Sequence, residues 1–134
     1  MVNVVSSKGG FVNVEIKGVS EVLTRIRALG KDVNQGADVG VFQAANMMQQ
    51  EVQESIIGNR AEHKSVLTGN LGNSITVNKI KDAEYIVYTD VEYAKKIEYS
   101  PSIEGGPRRH FTNSVFRNKD RAKEIIKEEI KRKI

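Results

Sequence analysis

The stretch from Lys31 to Ile57 constrains the fold more than any other part of the sequence. Its apolar residues recur every three or four positions, which is typical of a long amphipathic α-helix. These residues are Val33, Ala37, Val41, Ala44, Ala45, Met48, Val52 and Ile56. At ~1.5 Å per residue the helix is about 40 Å long, enough to cross a whole domain, and Gly58 is a common terminator.

Two glycines in the first half of this helix, Gly36 and Gly40, need a reason to be there. Each weakens a helix by about 1 kcal/mol relative to alanine. They therefore predict either a kink or an unusually close approach to a neighbouring element. The Met47-Met48 pair lies in the same helix and is expected in the core or at a helix contact.

Strand patterns occur on both sides of the long helix. Phe11 to Lys17 alternates apolar and polar residues, and so do two runs around Ile75 to Val77 and Tyr85 to Val91. The segment from Lys81 to Glu84 joins the second and third runs as a turn, which predicts a β-hairpin.

Three further helical segments are predicted. Ser20 can cap a helix from Glu21 to Leu29, and Ala94 to Tyr99 suits a single helical turn. A final helix carries an apolar stripe of Val115, Ala122, Ile125, Ile126 and Ile130.

The elements predict one α+β domain over residues 1–134. We expect a small antiparallel sheet, formed by the N-terminal strand plus the hairpin, packed against the long helix and the C-terminal helix. Residues 1–10 are expected to be a flexible N-terminus. The polar stretch 59–70 has little periodicity and is predicted to be a mobile loop.

Composition excludes several kinds of site. The chain has no cysteine, so disulfides, thiolate nucleophiles and thiolate metal sites are ruled out. His63 and His110 are its two histidines and show no metal-ligand spacing, so we expect no metal and no cofactor. No apolar run approaches the ~20 residues of a membrane span, and residues 1–10 lack the apolar stretch of a secretory signal. We therefore expect a protein of the cytoplasm with no membrane partner.

Charge is distributed unevenly along the chain. The net charge is +4, but from Arg108 to Ile134 ten basic residues stand against four acidic ones, giving +6 and leaving −2 for the remainder. Such a basic end suits phosphate groups or an acidic protein face, or it is a solvated helix surface. A small nucleic-acid-binding domain is therefore one interpretation, although no zinc finger, RNP pattern or clear helix-turn-helix is present.

One local cluster suits catalysis. The run Arg108-Arg109-His110, with the tyrosines Tyr85, Tyr88, Tyr93 and Tyr99, contains groups that small basic ribonucleases, including mRNA-cleaving toxins, use for phosphate stabilisation and proton transfer. A solitary histidine beside arginines at a helix start is more often a surface residue. We therefore expect no catalytic residues, and a ribonuclease-type toxin ranks third among the interpretations.

Three short motifs occur in a recognisable order. Leu67 to Ile75 reads LTGNLGNSI, the predicted hairpin follows, Tyr93 to Glu98 reads YAKKIE, and an arginine and Phe111 open the last helix. In this order and spacing the chain resembles the tail-completion, or head-to-tail joining, proteins of long-tailed bacteriophages, from about Val22 to Ile130. It departs from their pattern at His110, where proline is common, and after Glu98, where a glycine-containing loop is usual.

The resemblance implies a structural protein without enzymatic activity that caps the phage tail and joins it to the head. Its implied partners are the tail tube or terminator protein, the head connector proteins and further copies of itself. Such proteins are expected to be monomeric when free and to form a ring, expected to be a hexamer, in the virion after assembly in the host cytoplasm. The basic last helix then faces an acidic partner or the DNA channel.

The same comparison suggests residues for the interfaces between subunits or partners. Glu98 is expected to pair with Arg108 or Arg109, within the subunit or across to a neighbour. The candidate interface residues are His63, Lys64, Thr68, Asn70, Glu98, Arg108, Arg109, Arg117 and Arg121.

Overall fold

The computed structural model describes residues 2–8, 11–17, 31–65, 70–103 and 105–133. It has the predicted α+β architecture. Its elements are β1 (Val2–Lys8), β2 (Phe11–Lys17), α1 (Lys31–Ile56), α2 (Asn70–Asn73), β3 (Thr76–Lys81), β4 (Glu84–Thr89), α3 (Ala94–Tyr99) and α4 (His110–Lys131). The helix predicted from Glu21 to Leu29, with its Ser20 cap, lies outside the described residues.

The four described strands form one antiparallel sheet in the order β1-β2-β4-β3. Val87 of β4 faces Val14 of β2 on one side and Val77 of β3 on the other. The N-terminal strand and the hairpin therefore combine into a single sheet, as predicted. Tyr85, Val87 and Thr89 alternate with more exposed neighbours and point toward the helices.

Strand β1 corrects the prediction of a flexible N-terminus over residues 1–10. Residues 2–8 pair with β2, from Val2 opposite Ile16 to Lys8 opposite Phe11. The register shifts between Val2 and Val5. The sequence conceals this strand because such an irregularity interrupts the strict alternation on which strand prediction depends.

Helix α1 extends almost as far as its periodicity predicts. Its core-facing residues Val41, Ala44 and Met48 are fully buried, and Met47 is 7% exposed. The helix ends at Ile56, and Gly58 has a φ of 95°, the left-handed conformation that favours glycine after a helix.

Helices α1 and α4 run antiparallel and contact each other at both ends. At one end, a Cβ atom added to Gly40 would lie 2.9 Å from Ile126 Cα, and one added to Gly36 would lie 2.8 Å from the Glu129 carbonyl oxygen. The glycines thus serve a close backbone approach within an unbroken helix. We call Gly36, Gly40, Ile126 and Glu129 the glycine end.

At the other end of the helix pair, Ser55 of α1 meets His110 at the start of α4. We call Ser55, Glu62, Ser65 and His110 the polar end. No helix in the described part of the chain is both long and apolar enough to span a bilayer.

The short motifs mostly contribute to the core. Leu71 and Ile75 are each 3% exposed, and Ala94 is equally buried. Tyr93 precedes the first residue of α3 at the N-cap position and is 41% exposed.

Candidate functional site

The chain turns back over the end of α1 directly after Gly58. Asn59 N donates to Glu54 O at 2.9 Å, and Ser65 N donates to Ile56 O at 2.7 Å. Between them, Glu62 is 9% exposed. Residues 59–65 therefore depart from the predicted mobile loop over 59–70, because a buried carboxylate and two backbone hydrogen bonds hold them against the helix.

Two other candidate interface residues belong to that stretch. Thr68 lies outside the described residues. Asn70 is exposed and begins α2, which packs beside the end of α1. There Gln53 Nε2 donates to Gly72 O at 3.2 Å.

A chain of hydrogen bonds links the loop to both helices at the polar end. Ser55 Oγ donates to Glu62 Oε1 at 2.5 Å and lies 2.7 Å from His110 Nδ1. Because the only hydroxyl proton of Ser55 goes to Glu62, Ser55 accepts from His110 Nδ1–H. His110 Nε2 then accepts from the Ser65 hydroxyl, 2.8 Å away. The chain of bonds thus fixes both the tautomer and the orientation of the imidazole.

His110 is 1% exposed, so the expectation of a surface histidine is wrong. Burial lowers the pKa of His110 to about 4, assisted by the charges of Arg108 and Arg117 and opposed by Glu62. The ring is therefore neutral near pH 7. Since serine hydroxyls occupy both ring nitrogens, a phosphate can reach the imidazole only after one of these bonds breaks.

Glu62 also anchors α4 through a two-point ion pair. Arg117 Nη1 lies 2.6 Å from Oε2 and Nη2 lies 2.9 Å from Oε1, while Asn113 Nδ2 donates to Oε2 at 3.1 Å. Burial alone would raise the pKa of Glu62, but the hydrogen bonds from Arg117, Ser55 and Asn113 outweigh it and lower that pKa to about 2. Glu62 is therefore ionised at neutral pH.

A second carboxylate, Glu51, lies beside this pair on α1. Arg60 Nη2 is 2.6 Å from Glu51 Oε2, and Arg121 Nη1 is 3.7 Å from Glu51 Oε1. Arg117 and Arg121, two of the predicted interface arginines, are thus engaged within the chain. Their charge is partly neutralised by acids that the sequence places far away.

Glu98 was expected to pair with Arg108 or Arg109, within the subunit or across to a neighbour, and its hydrogen bonds go to the start of α4. It is 2% exposed, and its carboxylate accepts from Phe111 N at 3.0 Å, Thr112 N at 2.8 Å and Thr112 Oγ1 at 2.7 Å. Burial raises the pKa of Glu98, and these hydrogen bonds oppose the rise. A carboxylate here satisfies helix N–H groups that lack an intrahelical partner and complements the positive helix end. Glu98 is a cap for α4.

Most of the other predicted interface residues gather at the same end of the molecule. Arg108 Nη1 donates to the Lys64 carbonyl oxygen at 2.7 Å. The ring of His63 lies against Gly105, where an added Cβ would be 3.1 Å from His63 Cδ2. Lys64 and Arg109 are both exposed beside them.

Sequence reasoning missed an exposed aromatic residue near these cations. Phe116 of α4 is 73% exposed, and Lys119 Nζ lies 5.0 Å from its ring centroid. One signal was available, because Phe116 falls one position outside the apolar stripe of the last helix. We call Lys64, Arg109 and Phe116 the basic surface.

The polar end itself was also missed. Ser55 interrupts the apolar face of α1 between Val52 and Ile56, which is a weak signal for a buried hydroxyl. Nothing in the pattern around Glu62 or Ser65 indicates that they meet His110. In the described ranges, no cluster of three or more histidine or acidic residues is arranged to hold a metal ion.

Comparisons with protein-family models, with curated proteins and with solved structures found no match to this chain. The resemblance to phage joining proteins therefore rests on the order and spacing of the sequence motifs.

Proposed function

We propose that this chain is a structural protein of a long-tailed bacteriophage that caps the top of the tail and joins it to the head connector. The observation that carries this proposal is the contact between Glu98 and the start of α4. Glu98 ends the YAKKIE motif, and Phe111, whose N–H it binds, opens the helix of the next motif. Two short motifs, each weak alone, are therefore the two halves of one buried contact.

The first motif supports the same proposal. Leu71 and Ile75 are core residues, and Ser74 Oγ lies 2.6 Å from Thr89 Oγ1, which ties the motif to the end of the hairpin. The residues of the resemblance thus cooperate in one folded unit. Such cooperation is what a shared fold requires.

The surface also suits a protein of an assembly. Phe116 is 73% exposed, and aromatic residues are enriched in protein interfaces. His110 has both ring nitrogens engaged by Ser55 and Ser65, an arrangement that suits a structural role better than proton transfer. In this proposal the free protein is a monomer, and it forms a ring, expected to be a hexamer, against the tail tube or terminator protein and the head connector.

Deletion of the coding gene from the phage genome that carries it tests the proposal. The expected result is a lysate with DNA-filled heads and complete tails that stay separate under the electron microscope, and a loss of infectious particles. Expression of the chain from a plasmid should restore joined virions that contain it. Joined particles in the deletion strain, or a complete lack of tails, would rule the function out.

Nucleic-acid binding is the second candidate, favoured by the exposed cations Lys64 and Arg109. Gel-shift titration of a short DNA duplex at several salt concentrations tests it. A binder should lose affinity with a logarithmic slope of about −0.9 per phosphate contact. The variant Lys64→Glu should then weaken binding more than Lys127→Glu, a matched change on the distal half of α4.

A further inference from the structure

The basic surface lies on one side of the molecule. Arg109 directly precedes α4, and Phe116 lies seven residues later, about two helical turns or about 10 Å along the chain's helical path. Lys64 adjoins them because its carbonyl oxygen accepts from Arg108, the neighbour of Arg109.

Arg109 occupies a backbone conformation that arginine seldom adopts. Its φ and ψ are 54° and 39°, in the left-handed region, and its side chain makes no capping hydrogen bond to α4. Glycine or asparagine would fit this conformation with less strain. The N–H groups at the start of the helix are bound by Glu98 instead. The fold therefore gives no reason for a long cationic side chain here, and strain of this kind often marks a functional position.

The charge of the basic surface is less compensated than that of its surroundings. Arg117 and Arg60 are paired with Glu62 and Glu51. Among the described residues, neither Lys64 nor Arg109 has a carboxylate within salt-bridge distance, although the Glu98 carboxylate is near enough for its pKa to be lowered by Arg109. Two exposed positive charges thus flank an exposed aromatic ring.

We propose that Lys64, Arg109 and Phe116 form the docking surface for an acidic segment of a partner protein at the head–tail joint. This inference rests on the proposed function and names the chemistry of one partner. Exposed cations attract carboxylates, and the aromatic ring needs an apolar contact that excludes water. Protein interfaces supply both, and their energetic centres are enriched in aromatic residues and arginine. A DNA duplex presents phosphates to the cations, whereas a protein segment can also cover the ring of Phe116, which is 73% exposed, with apolar side chains.

Three variants of the basic surface test the proposal: Phe116→Ser, Arg109→Gly and Lys64→Gln. Matched controls are Ile80→Ser, which removes a half-exposed apolar side chain on β3, and Lys127→Glu on the distal half of α4. Each purified protein is added at limiting concentration to a lysate of separate heads and tails, and joined particles are counted. Circular dichroism and the urea midpoint establish that each variant is folded.

We expect Phe116→Ser and Arg109→Gly each to lower the yield of joined particles by about tenfold. Lys64→Gln should have a smaller effect of the same sign, and both controls should join like the wild type. If the wild-type protein joins heads to tails and all three basic-surface variants give the same yield as it does, the inference is overturned and the proposed function stands. A wild-type protein that joins nothing would overturn both.

Photo-crosslinking identifies what the surface touches. A benzoylphenylalanine replaces Phe116, joined particles are irradiated, and the cross-linked peptides are sequenced by mass spectrometry. The proposal expects a peptide of another virion protein with several Asp or Glu residues near the cross-link. Cross-links to DNA, to a second copy of this chain or to a peptide without acidic residues would each contradict it.

Discussion

The two ends of the helix pair are held together in opposite ways. At the glycine end, Gly36 and Gly40 let the α1 backbone approach Ile126 and Glu129 so closely that a single added carbon would collide. At the polar end, Ser55, Glu62 and His110 join the helices by hydrogen bonds. The first contact depends on close backbone packing, and the second depends on the protonation and charge of buried groups.

This difference suggests a division of roles along one pair of helices. At the glycine end the two helix backbones pack directly against each other. The polar end instead holds the loop 59–65 and the start of α4 in place, and these segments carry Lys64 and Arg109 of the basic surface. The polar end is thus also the end that we propose binds a partner.

The largest expected effect comes from breaking the glycine end. Gly40→Val should lower the free energy of unfolding by about 3 kcal/mol or more, because the new side chain meets the backbone of Ile126 and the helices must separate. Urea unfolding measures the loss. Gly72→Ala is the matched control, since its Cβ would lie an ordinary 3.8 Å from Ile56 Cγ2. Equal stability of the Gly40 variant and the wild type would contradict the close contact.

Acid should weaken the polar end. The pKa of His110 is about 4 in the folded protein against 6.5 ordinarily. The unfolded chain therefore takes up a proton first as the pH falls from 6.5 to 4, and about 2 to 3 kcal/mol of the unfolding free energy is lost over this window. Glu62, with a pKa of about 2 against 4.5, adds a separate loss between pH 4.5 and 2.

Urea unfolding at a series of pH values between 7.5 and 4.5 measures the histidine effect. His110→Gln should flatten the dependence between pH 6.5 and 5, where ordinary carboxylates do not titrate. His63→Gln, which changes the exposed histidine, is the matched control. A flat wild-type profile above pH 5 would contradict a buried neutral imidazole.

Removal of the Glu62 charge should weaken the polar end without touching the glycine end. Glu62→Gln should cost about 2 kcal/mol in unfolding free energy, since Arg117 loses a two-point ion pair that is largely shielded from water. Glu124→Gln, an exposed change on α4, should cost little. Thermal or urea unfolding measures both, and equal small losses in the two variants would show that the pair contributes nothing.

The smallest expected effect is a gain in stability. Arg109→Gly should raise the unfolding free energy by about 1 kcal/mol, because glycine adopts the left-handed backbone of this position without strain. The same variant should join heads to tails poorly. A loss of stability would mean that the arginine side chain supports the fold. The proposal that Arg109 serves partner binding would then be contradicted.

Periodicity along the chain was sufficient to predict α1, the hairpin and α4, because each buries one regular face. Gly36 and Gly40 predicted either a kink or a close approach to a neighbouring element, and the structure shows the close approach. Periodicity failed at β1, whose register shifts between Val2 and Val5.

The candidate site was harder to predict because its contacts join distant segments. Glu98 reaches the helix start 13 positions later, and His110 meets Ser55 across 55 positions. No local pattern encodes such contacts. The sequence shows the basic residues as an excess of positive charge. It does not show which of them are neutralised, because Glu51 and Glu62 come close to their arginine partners only in the folded chain.

Addition of the purified wild-type protein to a lysate that lacks it is the most direct test of the central claim. The measurement is the number of infectious particles per millilitre, with electron microscopy of the same sample. We predict that separate heads and tails combine and that the titre rises with added protein until joining is complete. An unchanged titre, with heads and tails still separate at excess protein, would contradict it.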